Sequence, residues 1–222
     1  MTRRPVVRHP VRNFATLAYS DAVKAIQEKL GVRAENAELE REAGSTEVTP
    51  ALADYLATRR SFYIATASKD GQPYIQHRGG PAGFLKTIDA KTLGFFDVKG
   101  NNQYVTLGNL SENPRAVLFV PDYARRRRLK IWGEAELVED DRAFIDAVTP
   151  AALNNRFVPR AIRFHVAAWD ANCPQFIPQL FSVDEVEAAI AEATAAMQKR
   201  IAALEAEVKW LKPAKGTRSK KR

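Results

Sequence analysis

Seven short runs rich in β-branched and aromatic residues follow one another in the middle of the chain. Such residues favour strands, and the Asp70-Gly71 pair between the first two runs is a strong hairpin signal. Short strands separated by turns predict a mainly β fold, an antiparallel barrel or sandwich. The runs cover residues 62–66, 73–77, 83–88, 92–97, 115–120, 127–138 and 161–169.

Helical patterns lie on both sides of this strand region. Ser20 as N-cap, an apolar face marked by Val23, Ile26 and Leu30, and Gly31 as the stop predict a first short helix. Residues 33–48 carry no clear strand signal and are expected to connect this helix to the main domain.

A second helix is predicted where Thr49 provides an N-cap and Pro50 occupies the first helical position. Its inward face carries Leu52, Tyr55 and Leu56. Two more short helices are expected over residues 101–110, opening behind Gly100, and over residues 140–148.

The last ordered element is predicted to be a long amphipathic helix. Its apolar residues recur at spacings of three and four with charged residues between them, as in helices that pack along one side. The partner of this apolar stripe is either the chain's own barrel or a second subunit. The stripe consists of Val186, Ile190, Ala193, Met197, Ile201, Leu204, Val208 and Leu211.

Composition places the chain among soluble globular proteins. Hydrophobic residues make up 45% and charged residues 27% of its 222 residues. No apolar run is long enough to span a membrane, and residues 1–5 do not lead into an apolar signal region, so a cytoplasmic protein is expected. The single cysteine, Cys173, excludes an internal disulfide and cannot assemble a zinc site by itself, so no metal is expected.

The net charge of +8 is concentrated at the two ends of the chain. Residues 1–12 and 212–222 together hold ten basic residues and no acidic ones, which leaves 24 basic against 26 acidic residues in 13–211. The body is therefore near neutral, and we expect a disordered basic tail over 212–222 and no specific nucleic-acid binding.

Three polar clusters lie on the strand-like runs: residues 76–81, 97–103 and 125–130. Each alone is also compatible with a turn, a capping loop or a solvated strand end. Together they place cations, amide side chains and exposed backbone N–H groups at the ends of strands, which an anionic, phosphate-bearing ligand requires. The chain has no P-loop and no Gly-x-Gly-x-x-Gly motif, which argues against kinase and Rossmann sites.

Strand alternation limits which of these side chains share a face. Gln76 and Arg78 are expected on one face of their strand and His77 on the other. On the later strand, Arg128 is expected on the face opposite to that of Arg127.

The ordered motifs resemble those of the pyridoxamine 5'-phosphate oxidase-like, FMN-binding split-barrel family, in particular a bacterial subgroup of it. The resemblance covers residues from about 50 to about 180. The segments that carry it are Gln76-His77-Arg78-Gly79-Gly80-Pro81, Gly94-Phe95-Phe96-Asp97, Gly100-Asn101-Asn102-Gln103, Leu107-Gly108-Asn109-Leu110, Asn113-Pro114, Leu129-Lys130-Ile131-Trp132-Gly133 and Asn172-Cys173-Pro174-Gln175.

The resemblance implies a six-stranded antiparallel split barrel, with N-terminal helices and a long C-terminal helix, that forms a homodimer with FMN at the interface. Together with the patterns along the chain, it predicts four parts: an N-terminal extension over 1–48, a split-barrel domain over 49–180, the helix over 181–211 and the tail over 212–222. The residues it assigns to the flavin are Gln76, His77, Arg78, Gly79, Gly80 and Pro81 beside the ring and phosphate, Asp97 and Val98 along the ring or ribityl chain, Lys99, Asn102 and Gln103 at the phosphate, and Arg128, supplied by either subunit.

Two departures from the family pattern affect the expected activity. Many relatives have a basic residue where this chain has Asn102, so Arg78 and Lys99 are expected to carry more of the phosphate's charge. The Arg-x-His signature of true pyridoxamine phosphate oxidases is absent after the last barrel strand, where Asn172-Cys173-Pro174 stands. Vitamin B6 oxidation is therefore not expected.

The sequence thus predicts an FMN-dependent oxidoreductase that passes electrons from a reduced nicotinamide or another donor to a small acceptor. The only candidates for a catalytic base are His77 and His165, and a lone histidine is more often structural. One alternative is a non-catalytic module that stores or senses flavin or haem. A weaker alternative is a nucleic-acid-associated protein that uses its basic ends.

Overall fold

A computed structural model describes residues 13–153, 158–172 and 175–211 of the chain. Contacts divide the chain into two units, one up to Pro178 and one from Gln179, and each is described by itself. The basic ends and Cys173 lie outside the described residues, so the predictions made for them stay predictions. The division into four parts likewise stays a prediction.

The first unit contains six α-helices, seven strands and a short 3-10 helix in the described residues, and the second unit contains one helix. The helices are α1 Ala15–Ala18, α2 Asp21–Lys29, α3 Arg33–Arg41, α4 Pro50–Ala57, α5 Val105–Glu112, α6 Arg142–Val148 and α7 Val183–Leu211. The strands are β1 Ser61–Ala67, β2 Pro73–Gly79, β3 Lys86–Asp89, β4 Thr92–Asp97, β5 Arg115–Asp122, β6 Arg127–Val138 and β7 Arg160–Asn172, and the 3-10 helix is Ala151–Leu153.

The seven strands form one antiparallel sheet in the order β2-β1-β5-β6-β7-β4-β3. This confirms the predicted mainly β architecture with flanking helices. All seven runs identified in the sequence contain strands, one more strand than the resemblance implies. The order also brings β4 beside β7, so residues far apart in sequence become neighbours at the strand ends.

Strict alternation explains why one face of the sheet forms the core. In β1, Phe62 and Ile64 are fully buried while their neighbours are only half-buried. β4 is buried along its whole length because α6 covers it, and a Cβ on Gly94 would lie 2.7 Å from the Phe144 ring. Such close approach requires glycine at this position.

The helix caps confirm two of the local predictions. The Ser20 side chain accepts a hydrogen bond from the Val23 N–H, and the Thr49 side chain accepts one from the Leu52 N–H. The apolar face predicted for α2, however, is largely exposed, with Ile26 58% exposed.

One helix was not predicted, and the start of another was predicted wrongly. Residues 33–41 form α3 where a connection was expected, because alanine, glutamate and arginine have high helix propensity even without an apolar face. α5 begins at Val105 and not at Asn101. Asn102 and Tyr104 have positive φ angles, 61° and 50°, and left-handed residues cannot continue a right-handed helix.

Substitution of Gly133 by Ala is expected to destabilise the sheet strongly. Gly133 lies at the bulge between β6 and β7, where an added Cβ would lie 2.1 Å from the His165 carbonyl oxygen. Overpacking of this kind costs about 1–3 kcal/mol or more. Urea unfolding measures the loss. In the control Gly108→Ala, on α5 with no atom within 4 Å, we expect a gain of about 0.5–1 kcal/mol. Equal effects of the two changes would contradict the packing at the bulge.

A buried ion pair joins the end of α4 to β5. Arg59 places Nη1 2.8 Å from Oδ2 of Asp122, whose side chain is only 2% exposed. The Tyr55 hydroxyl donates to the Val120 carbonyl at 3.0 Å, and burial raises the pKa of Tyr55 to about 12. These contacts fix α4 against the sheet.

Asp122→Asn is expected to lower stability at pH 7 by about 2 kcal/mol through the loss of charged hydrogen bonds. Burial acts to raise the pKa of Asp122, but hydrogen bonds from Arg59 and Arg125 outweigh it, so the pKa is lowered. The stabilisation is therefore complete above the unfolded pKa of about 3.9 and is lost as the pH falls through the folded value. When urea unfolding is measured from pH 7 to pH 2, the free energy of unfolding should fall less for the variant than for the wild type. An identical pH profile would refute the role of this pair.

None of the helices in the described residues is both long enough and apolar enough to cross a membrane.

Candidate functional site

A cleft of about 220 Å³ lies where the end of β2, the end of β4 and the loop into α5 meet. Its walls carry amide, cationic and aromatic side chains. The residues that line it are Tyr74, Gln76, His77, Arg78, Gly79, Phe84, Phe96, Asp97, Val98, Gly100, Asn101, Asn102, Gln103, Tyr104, Val105, Thr106 and Leu107.

Two arginines hold a buried carboxylate at the base of this cleft. Asp97, the last residue of β4, is 4% exposed. Its Oδ1 accepts from Nη1 of Arg78 on β2, and its Oδ2 accepts from Nε of Arg160 at 2.7 Å. The hydrogen bond to Asp97 raises the pKa of Arg160. The three side chains carry a net positive charge, which the exposed carboxylate of Glu139, 3.9 Å from Nη1 of Arg160, offsets in part.

Arg160 supports two residues of the cleft without lining it, and sequence reasoning missed it. It is the first residue of β7 and pairs in register with Asp97. Its guanidinium also lies over the Tyr104 ring, 5.1 Å from the centroid, and so contacts the loop that lines the cleft. No motif marks Arg160, because its role depends on β7 lying beside β4.

Arg78 retains a donor that no described group satisfies. Its Nε atom is buried and has no hydrogen-bond partner, although the same guanidinium is paired through Nη1. Buried polar groups in native proteins nearly always have partners, so an orphaned donor beside a cleft points to a missing ligand or water. Arg78 lines the cleft, but Asp97 neutralises part of its charge.

The amide side chains of the cleft are held by local hydrogen bonds. The Thr106 hydroxyl donates to Oε1 of Gln76 at 2.6 Å. Nδ2 of Asn101 donates to Oε1 of Gln103 at 3.0 Å, and Oδ1 of Asn101 accepts from the Gln103 backbone N–H. Because α5 starts only at Val105, the cleft is lined both by this loop and by the first three residues of the helix, Val105, Thr106 and Leu107.

Five of the predicted site residues do not line the cleft. Gly80 meets a packing requirement, since a Cβ there would lie 2.8 Å from Phe84, and the Pro81 carbonyl accepts from the Phe84 N–H. The other three are Lys99, which is exposed, Arg128, which lies on the face of β6 opposite buried Leu129 and Ile131, and His165, whose Nε2 lies 3.6 Å from Oε1 of Glu136.

Of the two predicted histidines, only His77 lines the cleft. It is exposed, with its ring edge-on to Tyr63. Within the described residues there is no group of three or more His, Cys, Asp or Glu side chains that could hold a metal. The arginine, amide and aromatic side chains that line the cleft are of the types that bind an anion and a flat group.

Comparison with known protein families adds a decisive match. The model of the family described as pyridoxamine 5'-phosphate oxidase matches residues 48–173, more than half of the chain. The chain belongs to the pyridoxamine 5'-phosphate oxidase family. This confirms the resemblance in the sequence, and the antiparallel sheet with its flanking helices is the split-barrel fold.

Solved structures of similar fold come from several bacteria. HupZ of Group A Streptococcus is 21% identical, with 60% of this chain and 98% of HupZ covered, at a TM-score of 0.46. An FMN-binding protein from Syntrophomonas wolfei is 14% identical, with 66% and 97% covered and a TM-score of 0.44. An F420 reductase is 23% identical, with 55% and 98% covered and a TM-score of 0.38. A search of curated proteins gave no match.

Proposed function

We propose that this family member binds FMN in the cleft and acts as an oxidoreductase. The observation that carries the proposal is the buried, unpartnered Nε of Arg78 within a cationic cluster at the base of the cleft. A phosphate dianion is bound best by charge-assisted hydrogen bonds from arginine. The residues of the cleft therefore fit FMN, the cofactor that the family implies.

In this proposal the cleft residues divide between the two ends of the cofactor. Arg78, Asn102 and Gln103 hold the phosphate, and Arg160 keeps Asp97 and Tyr104 in place beside it. Aromatic side chains such as Phe96 provide a wall for the flat ring system. Bound FMN would supply hydride and single-electron transfer, while the chain's own residues bind it, orient it and neutralise its charge.

The size of the cleft supports a second subunit at the site. About 220 Å³ is below the roughly 300–1,000 Å³ of typical ligand pockets. In the homodimer that we propose, the partner completes the pocket. Arg128 is a candidate for this contribution, because its Nε is also buried without a hydrogen-bond partner among the described residues.

The direct test is the spectrum of the purified protein and its response to reductants. We expect bound FMN, identified by chromatography after denaturation, and anaerobic bleaching of its absorbance by NADH or NADPH with reoxidation by an added acceptor. Bound flavin that neither nucleotide nor other donors reduce would indicate a non-catalytic flavin-binding module. A protein that stays colourless when FMN is added would refute the proposal.

A further inference from the structure

The long helix α7 carries an exposed apolar stripe along its whole length. Its 29 residues extend for about 43 Å at 1.5 Å per residue. No polar residue interrupts the stripe, and Ile190, Met197 and Leu211 are each at least 60% exposed. Contiguous exposed apolar surface of this kind marks an interaction site.

The spacing within the stripe makes it complementary to itself. The stripe is symmetric about Met197, because each apolar residue on one side has an apolar counterpart at the same distance on the other side. The matching positions are 193 and 201, 190 and 204, 186 and 208, and 183 and 211. A second copy of the helix can therefore match every apolar layer in either the parallel or the antiparallel orientation. Side-chain shape and charge then distinguish the two orientations.

The C-terminal half of the stripe has the side chains of a parallel two-stranded coiled coil. In heptad terms Ile201 and Val208 occupy a positions, and Leu204 and Leu211 occupy d positions. β-branched residues at a together with leucine at d favour parallel two-stranded coiled coils. Ala193, Met197 and Ile201 are each four residues apart, so the segment from Ile190 to Ile201 repeats after 11 residues instead of seven. Such a segment locally unwinds a left-handed supercoil but keeps the stripe continuous.

Charges beside the stripe favour the same orientation. Arg200 at a g position and Glu205 at the following e position face each other across a parallel pair, twice by symmetry. In an antiparallel pair that keeps the apolar layers in register, Glu205 would instead face Glu187 of the other helix. Close like charges across an interface are destabilising, so this contact disfavours the antiparallel pair.

We propose that α7 pairs with α7 of a second copy of this chain as a parallel two-stranded coiled coil. The occupant of the stripe is thus the same helix of another subunit, in register at every layer. The pairing does not depend on a bound flavin, so its test and the test of FMN binding can fail separately.

The test uses single cysteines in the full-length chain. Cys173 is the only cysteine, so it is first replaced by Ser and each variant then carries one introduced thiol. The variants are Leu204→Cys in the seam, Met197→Cys at the centre of symmetry and Ala206→Cys on the opposite side of the helix. Disulfide dimers formed under mild oxidation are measured by non-reducing electrophoresis, and circular dichroism checks helix content.

We expect Leu204→Cys and Met197→Cys to form disulfide dimers rapidly and Ala206→Cys to form few. In an antiparallel pair, Met197→Cys would form disulfide dimers but Leu204→Cys would not. The double variant Ile190→Cys/Leu204→Cys would then also form them, because position 190 faces position 204. This pattern would overturn the proposal. The proposal would also be overturned if none of the seam variants formed disulfide dimers faster than Ala206→Cys does, since α7 would then have another partner.

Discussion

Arg78→Ala is expected to weaken FMN binding by about 100-fold or more. Hydrogen bonds to charged groups contribute about 1.5–3 kcal/mol each, and about 2.7 kcal/mol corresponds to 100-fold in affinity. Arg78 contributes the buried unpartnered Nε and is the arginine that lines the cleft. Titration of apoprotein with FMN, followed by quenching of flavin fluorescence, measures the change.

Two variants control this experiment. Arg115→Ala removes an exposed arginine at the start of β5, outside the cleft, and we expect it to leave the FMN affinity unchanged. Arg78→Lys keeps the charge but loses the planar fork of donors, so its affinity should be intermediate. If Arg78→Ala binds FMN as tightly as Arg115→Ala does, the phosphate site lies elsewhere.

Asp97→Asn is expected to lower the free energy of unfolding by about 3–5 kcal/mol. Removal of one member of a buried ion pair leaves the other charges without compensation, and here two arginines lose their shared carboxylate. This loss is a large fraction of the 5–15 kcal/mol that stabilises a typical domain. Urea unfolding of the apoprotein measures it.

The same variant also tests the charge of the cleft. Without Asp97 the cleft gains positive charge, so added inorganic phosphate should stabilise Asp97→Asn more than it stabilises the wild type. Asp146→Asn is the matched control, because its ion pair with Arg142 is exposed and should contribute less than about 1 kcal/mol. Equal losses for the two variants would contradict a structural role for the buried cluster.

Local signals in the sequence were sufficient to predict most strands of the sheet. The Asp70-Gly71 turn and the alternation in β1 and β2 placed the hairpin, and the structure pairs Ala67 with Pro73 around that turn. The same alternation put Gln76 and Arg78 on the half-buried face of β2 and His77 on the exposed face, although all three line the cleft. These predictions succeeded because turn chemistry and strand periodicity depend on neighbouring residues.

The errors arose where distant or backbone-specific effects decide the structure. Glycine before a polar segment indicated a helix from Asn101, but the left-handed Asn102 and Tyr104 delay it to Val105. Lys99 was expected to share the phosphate charge with Arg78, yet it is exposed outside the lining of the cleft. Arg160 fills the second cationic position instead.

The sequence by itself determined the class of fold, the family and the segment that forms the cleft, because these follow from periodicity and from ordered motifs. Only the tertiary structure decided how the charges of the cleft combine. Arg160 lies 63 positions from Asp97, and the two meet because β7 pairs with β4. Strand order is a global property, so no local pattern could show that Arg78 shares a buried carboxylate yet retains an unsatisfied donor.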